Sequence, residues 1–379
     1  MRIAMIGTRG VPARYGGFET CVEEVGRRLA SAGHEVTVYC RGSTSPGRRA
    51  ARDGDYRGMH LVHLPAVRHK ALETLSHTAL STAHSARRRP DAAFVFNAAN
   101  APLLPVLRAR GVPVATHVDG LEWKRGKWGR AGRRYYRLAE SLAVRWSDAL
   151  IADARGIQEY YMDRFGASSE YIAYGAPVLD GTGSSRLAEY GLRPGEYHLV
   201  VARFEPENHV HTAVEGYRAG DCRFPLVVVG SAPYADEYVA RLTRLAAGDE
   251  RVRFLGGVWD QELLDELYVN ALTYIHGHSV GGTNPSLLRA IGAGTVTLAY
   301  DVGFNREVLG QRGQYFSAPG ELARLCARTE ADDPAVTAER GRALRREAAR
   351  YDWDEVAGAY ESLAGRLARN SRSAFRWGV

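Results

Sequence analysis

Cysteine is scarce in this chain. Four occur in 379 residues, Cys21, Cys40, Cys222 and Cys326, far apart and never in CxxC spacing. That pattern excludes a disulfide framework and suggests no zinc site; the four read as small core residues in a reducing compartment. Long apolar runs are missing too, and nothing approaches the ~20 residues needed to span a bilayer. The opening Met1–Gly7 reads as a short strand ending in glycine, not as a signal peptide. No heptad, solenoid period, low-complexity tract or metal-ligand cluster is visible. Positive charge is in surplus: the formal net charge is +7, and the excess is arginine. Such a balance suits anionic substrates, nucleic acid or an anionic membrane face. No helix-turn-helix, zinc-finger or RNA-binding signature accompanies it, so nucleic acid is not expected as a partner.

What is present fits two folded domains. A hydrophobic share of 45% with 25% charged residues is that of a globular protein, and 379 residues can bury two separate cores. Short β-branched runs alternate with helical periodicities. The first series is Arg2–Ile6, Glu35–Cys40, Met59–Leu64, Ala93–Phe96, Val112–His117 and Ala149–Ala152. A second is His198–Ala202, Leu226–Val229, Val252–Phe254, Leu272–Ile275 and Val296–Ala299. The fold class expected is α/β: two doubly wound, Rossmann-like parallel sheets with a cleft between them. The boundaries expected are a first domain over 1–177, a Gly/Ser-rich linker over 178–193 and a second domain over 194–350. A helix over 351–370 and a polar tail over 371–379 follow.

Two glycine-rich loops follow strands and open helices. The first runs from Gly7 to Glu19 and includes Arg14, Tyr15, Gly16 and Gly17. Adjacent glycines let the backbone approach a ligand and expose N–H donors. The loop does not meet GxGxxG, and no acidic ribose-binding residue follows the second strand, so a plain dinucleotide fingerprint is absent. The second is His276-Gly277-His278-Ser279-Val280-Gly281-Gly282-Thr283-Asn284, leading into a helix from about Ser286. N–H groups at a helix N-terminus favour a phosphate or another anion. From Trp123 to Trp146, eight basic residues mix with Trp128, Tyr135 and Tyr136. Two readings stand for that stretch: a solvated charged face, or a patch for an anionic bilayer or lipid-diphosphate acceptor.

Several segments together resemble retaining glycosyltransferases of family 4, in particular a bacterial subgroup that includes rhamnosyltransferases. They are Gly7-Thr8-Arg9-Gly10-Val11-Pro12 with Tyr15-Gly16-Gly17-Phe18-Glu19-Thr20, and Val118-Asp119-Gly120-Leu121-Glu122-Trp123-Lys124-Arg125. Tyr171–Ala176, Arg203-Phe204-Glu205-Pro206-Glu207-Asn208 and Gly277–Leu288 complete the set. The resemblance implies a GT-B fold, with the acceptor mainly on the first domain and the nucleotide-sugar donor mainly on the second. It implies that Arg203 grips the donor diphosphate, the family's lysine five residues later being Asn208 here. Donor contacts are implied for Gly16, Gly17, Gly281, Gly282, Thr283 and Asn284. The family's frame of Glu, seven residues, Glu reads Gly281 to Arg289. Arg289 cannot accept a hydrogen bond from ribose hydroxyls. Three explanations remain open: the ribose is held otherwise, the donor differs, or catalysis is impaired. Glu307 is a nearby carboxylate that could compensate. His117 and Asp119 are the catalytic candidates at the end of a first-domain strand, and Arg14, Tyr15, Glu122 and Trp123 are the acceptor-side candidates.

The expected activity is therefore metal-independent, retaining transfer of a sugar from a nucleoside diphosphate donor to a hydroxyl acceptor. No cofactor is implied; the leading donor is deoxythymidine diphosphate rhamnose. The acceptor would be a glycan, a lipid-linked sugar or a small molecule, in cell-surface polysaccharide or glycoconjugate synthesis. The expected location is cytoplasmic, peripheral at the inner membrane face. The rival expectation is a degenerate, non-catalytic sugar-nucleotide-binding or scaffolding protein.

Overall fold

A computed structural model describes residues 1–13, 16–42, 53–67, 72–118, 120–231 and 236–376. The chain divides into two compact units. The first comprises Met1–Lys124, Trp128–Tyr174 and Trp353–Val379; the second comprises Arg125–Lys127 and Gly175–Asp352.

The first unit is built on eight strands: β1 (Arg2–Ile6), β2 (Glu35–Arg41), β3 (Gly54–Tyr56), β4 (Met59–Leu64), β5 (Ala92–Phe96), β6 (Val114–Val118), β7 (Ala149–Ala152) and β8 (Glu170–Tyr171). Their order is β3-β4-β2-β1-β5-β6-β7-β8, parallel throughout except that β3 runs antiparallel to β4. Helices cover both faces of such a sheet, which is why β5 reads Ala-Ala-Phe-Val-Phe without alternation and is fully buried. Strand order reverses between β1 and β5, so the loops after these strands open at a topological switch point.

The helix Gly17–Ser31 buries Cys21, Val22, Val25 and Leu29 on one face. The final helix, Trp353–Arg376, packs against it and extends well past Leu367, where the apolar periodicity fades. Tyr360 is fully buried, with its ring edge-on to Phe94 at 4.9 Å, and its hydroxyl accepts from Cys21 Sγ at 3.6 Å. Arg28–Asp354 at 2.5 Å and His34–Glu361 at 2.8 Å flank this contact.

The second unit has six parallel strands: β9 (His198–Val201), β10 (Leu226–Val229), β11 (Val252–Gly256), β12 (Thr273–His276), β13 (Val296–Tyr300) and β14 (Gln314–Phe316). The order β11-β10-β9-β12-β13-β14 places its switch point between β9 and β12. The stretch 178–193 is more than a linker. Leu187 and Leu192 are buried with Tyr197, Leu199 and Tyr268 in this unit's core, and the Arg186 N–H donates to Glu266 at 3.0 Å. Its glycines and serines flank the short 3-10 helix Leu187–Tyr190. Among the described residues no helix is long and apolar enough to cross a membrane.

Candidate active site

In the first unit the loop after β1 is held by carboxylates of the helix it enters. A Cβ on Gly7 (φ +102) would lie 2.5 Å from the Phe96 carbonyl, so only glycine fits there. Glu19 accepts from the Arg9 N–H at 3.0 Å and Glu23 from the Ala13 N–H at 2.5 Å. Burial raises the Glu19 carboxyl above its ordinary range; the Arg9 N–H and guanidinium pull in the opposite direction. Gly16 (φ +104) and Gly17 form the helix entrance, and no side-chain hydrogen bond caps it. Arg14, Tyr15 and Asp119 lie outside the described residues.

His117 is the fourth residue of β6 and is fully buried. Alternation along the strand turns it away from Thr116, whose hydroxyl lies 2.6 Å from Ser147 Oγ. Phe18 meets its ring edge-on at 5.2 Å, while Phe96 at 5.6 Å and Tyr174 at 5.7 Å stack on it. Neither ring nitrogen has a hydrogen-bond partner among the described residues. Burial pushes its pKa down to about 3, so the imidazole is neutral near pH 7 and offers one donor and one acceptor. A buried polar group left unpaired costs about 1–3 kcal/mol, and a ligand hydroxyl would remove that cost. Glu122 and Trp123 are engaged within the unit. Glu122 accepts from the Trp128 indole at 3.3 Å, and the Arg137 guanidinium lies 4.4 Å above the Trp123 ring. The second contact ties this stretch to the helix Arg130–Trp146.

In the second unit, loops at the C-terminal ends of β9, β12 and β13 lock together. A Cβ on Gly277 would lie 2.2 Å from the Asn208 carbonyl. His209 Nδ1 lies 2.9 Å from the Gly277 carbonyl, and the Ser279 N–H donates to the Glu207 carbonyl at 2.9 Å. Asn305 donates to the carbonyls of His278 at 3.0 Å and Tyr300 at 2.8 Å. Arg203 stands two residues beyond β9, with about a third of its side chain exposed and Glu205 at 3.8 Å. Glu205 also faces Arg125 at 3.4 Å. Asn208 is buried, and its amide donates to the Arg203 carbonyl at 2.8 Å, so it shapes the loop that carries the arginine.

Charges of both signs meet here, Arg203 and Arg125 with Glu205 and Glu207 as counter-charges. Burial holds the His278 imidazole well below its ordinary pKa, and His276, Arg203, Arg125 and His209 press it further in the same direction. His276, stacked on His278 at 4.4 Å, is itself pushed down to about 3 by burial. Two neutral imidazoles, two guanidinium groups and the carboxylates of Glu205 and Glu207 thus share this end of the sheet.

The helix Pro285–Ala293 brings its own cap. Asn284 Oδ1 accepts from the Ser286 N–H at 3.0 Å, and the Leu287 and Leu288 N–H groups return to the Asn284 carbonyl. Donor N–H groups expected at this helix end are thus already used, and Pro285 has none. Gly281, Gly282 and Thr283 precede this cap. Gly281 has φ +138, and a Cβ on it would meet only open space.

Arg289 departs furthest from expectation. Its guanidinium pairs with Asp265 on the neighbouring helix Gln261–Val269, not with Glu307, and each side chain of the pair is about one-fifth exposed. Gln261 also donates to Asp265, at 3.1 Å. Glu307 is half-buried on the helix Gly303–Leu309. Nothing in local periodicity pairs residues 24 positions apart on separate helices, so Asp265 was not legible from the sequence. Nor were the stacked histidines or the Glu205–Arg125 contact.

A strand-end arginine and an interlocked glycine loop at the C-terminal ends of a doubly wound sheet make up the candidate site. Comparisons with known proteins identify the family. The family model described as a glycosyl transferase 4-like domain matches residues 16–175, and that of glycosyl transferases group 1 matches residues 192–343. The chain belongs to the retaining, nucleotide-sugar-dependent glycosyltransferases of family 4. It is 26% identical to a glycogen synthase of Mycobacterium tuberculosis over 95% of this chain and 93% of that protein. To the O-antigen chain mannosyltransferase B of Escherichia coli it is 25% identical, over 40% of this chain and 39% of the relative. Among solved structures, sucrose-phosphate synthase from Thermosynechococcus elongatus superposes with a TM-score of 0.81 at 20% identity, covering 97% of this chain and 98% of that one. Anabaena HepE in complex with UDP-glucose gives 0.76 at 16% identity, covering 96% and 100%. The fold is GT-B.

Proposed function

We propose that the chain transfers rhamnose from deoxythymidine diphosphate rhamnose, with retention, to a hydroxyl acceptor in cell-surface polysaccharide or glycoconjugate synthesis. The observation that carries the site assignment is the place of Arg203, just past the C-terminal end of β9 and beside the interlocked glycine loop, with Arg125 reaching the same Glu205. A departing nucleoside diphosphate gains negative charge as the sugar bond breaks, and preorganised positive groups stabilise that charge without reorganising. Arg203 contacts the phosphates, and the backbone of Gly281, Gly282 and Thr283 lines the loop beside them. The orphaned nitrogens of His117 take a sugar hydroxyl. Choice of rhamnose follows the motif resemblance; UDP-glucose, bound in the HepE structure, is the competing donor. Nucleotide release from a panel of donors tests this. Fastest turnover of a donor other than the rhamnose one overturns the sugar assignment.

His117→Ala should lower transfer about tenfold, the value of one neutral hydrogen bond near 1.4 kcal/mol. With its pKa near 3, His117 should add no limb to the pH–rate profile between pH 5 and 9. Full activity in the variant would show that the imidazole serves only packing.

The helix Arg130–Trp146 exposes Arg130, Arg133, Arg134 and Arg137 beside Leu138, which is 56% exposed. This supports peripheral docking on an anionic, cytoplasm-facing bilayer, where each basic residue near the surface is worth about 1 kcal/mol. Binding to phosphatidylserine vesicles should weaken with salt and fall at least tenfold when Arg133, Arg134 and Arg137 become glutamine. No binding at low ionic strength refutes the docking.

The absence of the family's second carboxylate, whose position holds Arg289, favours one second reading, a degenerate protein that binds nucleotide sugar without turnover. Donor binding without hydrolysis or transfer would establish it.

A further inference from the structure

We propose that His198, Cys222 and Cys326 form a binding site for one zinc ion at the strand-entrance edge of the second sheet. Sequence spacing hides this site, because the first two ligands are 24 positions apart and the next two 104. The fold unites them. His198 opens β9, Cys222 lies just before β10, and Cys326 sits on the helix Pro319–Ala331. One ring nitrogen and the two sulfurs lie within 4.8 Å of one another, and all three residues are at most 2% exposed.

Zinc binds thiolate sulfur at ~2.3 Å and imidazole nitrogen at ~2.0–2.1 Å, which puts tetrahedral ligand atoms roughly 3.6–3.8 Å apart. The trio needs a contraction of about 1 Å at most to meet that geometry. Donor type agrees as well: thiolate and imidazole are the ligands that select zinc over magnesium or calcium.

The surroundings orient the histidine as a ligand. Its Nε2 lies 3.0 Å from Glu330 Oε1. That carboxylate, 3% exposed, also accepts from the Arg223 N–H at 2.8 Å and the Phe224 N–H at 3.1 Å. A carboxylate behind one imidazole nitrogen fixes the tautomer and raises the basicity of the other, as in metal-ligating histidines. Nδ1 is then the nitrogen for the ion, which would take the place of its present contact with Thr273 Oγ1 at 2.7 Å. Glu330 follows Cys326 by one helical turn, and Arg223 follows Cys222 directly, so the ligands and their supports come as a unit. His198 and Arg203 bracket β9 at opposite ends. The ion would therefore staple β9, the approach to β10 and the helix Pro319–Ala331, away from the donor loops.

The test adds Co²⁺ to the purified full-length chain, fully reduced and without oxygen. One equivalent should produce thiolate-to-cobalt charge-transfer absorption that one equivalent of Zn²⁺ abolishes, and Zn²⁺ should raise the thermal midpoint. Cys222→Ser and Cys326→Ser should lose the absorption, whereas Cys21→Ser and Cys40→Ser keep it. Should the first two fail to fold, the wild-type titration still decides. No charge-transfer band in the wild-type protein overturns the site, as does a band that survives in folded Cys222→Ser and Cys326→Ser. A Cys222–Cys326 disulfide formed with peroxide, without any cobalt band, would also overturn it and assign the pair to thiol oxidation.

Discussion

Replacing Arg203 by alanine is expected to weaken nucleoside diphosphate binding about 10- to 150-fold and to leave nucleoside binding nearly unchanged. A charge-assisted contact to phosphate is worth roughly 1.5–3 kcal/mol, which converts to that range. The fold should tolerate the change. The guanidinium is about one-third exposed and its ion pair with Glu205 is long, at 3.8 Å; exposed pairs of this kind contribute about 0–1 kcal/mol. What holds the loop is the Arg203 carbonyl, which accepts from buried Asn208 and persists in the alanine variant. Calorimetric titration with the diphosphate and with the bare nucleoside separates the possibilities. Equal losses for both ligands would mean that Arg203 acts through folding. Asn208→Ala provides the contrast. Removing the amide that fixes this carbonyl should lower stability as well as affinity, since Asn208 works by placing the arginine.

Elements governed by local physics were readable from the chain. Apolar runs such as Ala93–Phe96 and Leu226–Val229 read as buried strands, as they are found, and the spacing of Val22, Val25 and Leu29 sets the face of the first helix. Short edge strands escaped. β3, β8 and β14 span three, two and three residues, too few for any alternation to register, and they exist because a neighbouring strand offers hydrogen bonds. At the site, glycines announced themselves because close approach leaves no alternative, as at Gly7 and Gly277. Partnerships did not. That Asn208 turns inward to its own loop, that Asn284 spends its carboxamide on Ser286, and that three scattered residues meet at His198 are facts of tertiary packing. A motif names the residue type at a position; where its polar atoms point is settled by neighbours far away in sequence.

Arg289 is the residue where that difference matters most. If only its lost carboxylate counted, Arg289→Glu would restore an acceptor and raise donor affinity or turnover. The ion pair with Asp265 implies a different outcome. Both side chains are about one-fifth exposed, so a glutamate at 289 would exchange an attraction for a repulsion in a partly desolvated place. Glu262 and Glu266 on the same short helix add to the negative charge nearby. At an effective dielectric of about 20, unit charges 4 Å apart interact by about 4 kcal/mol before solvent and relaxation reduce it. The expected cost in stability is about 2–4 kcal/mol, in line with breaking one partner of a buried pair. At roughly 2–4 °C per kcal/mol for a domain of this size, the thermal midpoint should drop by several degrees, with no gain in turnover. The double substitution Arg289→Glu with Asp265→Arg should recover most of the loss, because it restores the pair with its charges exchanged. Melting curves for the two single variants and the double variant complete the cycle. A stable and more active Arg289→Glu would refute the structural role of the pair and favour the degenerate protein, whose missing carboxylate had simply been returned.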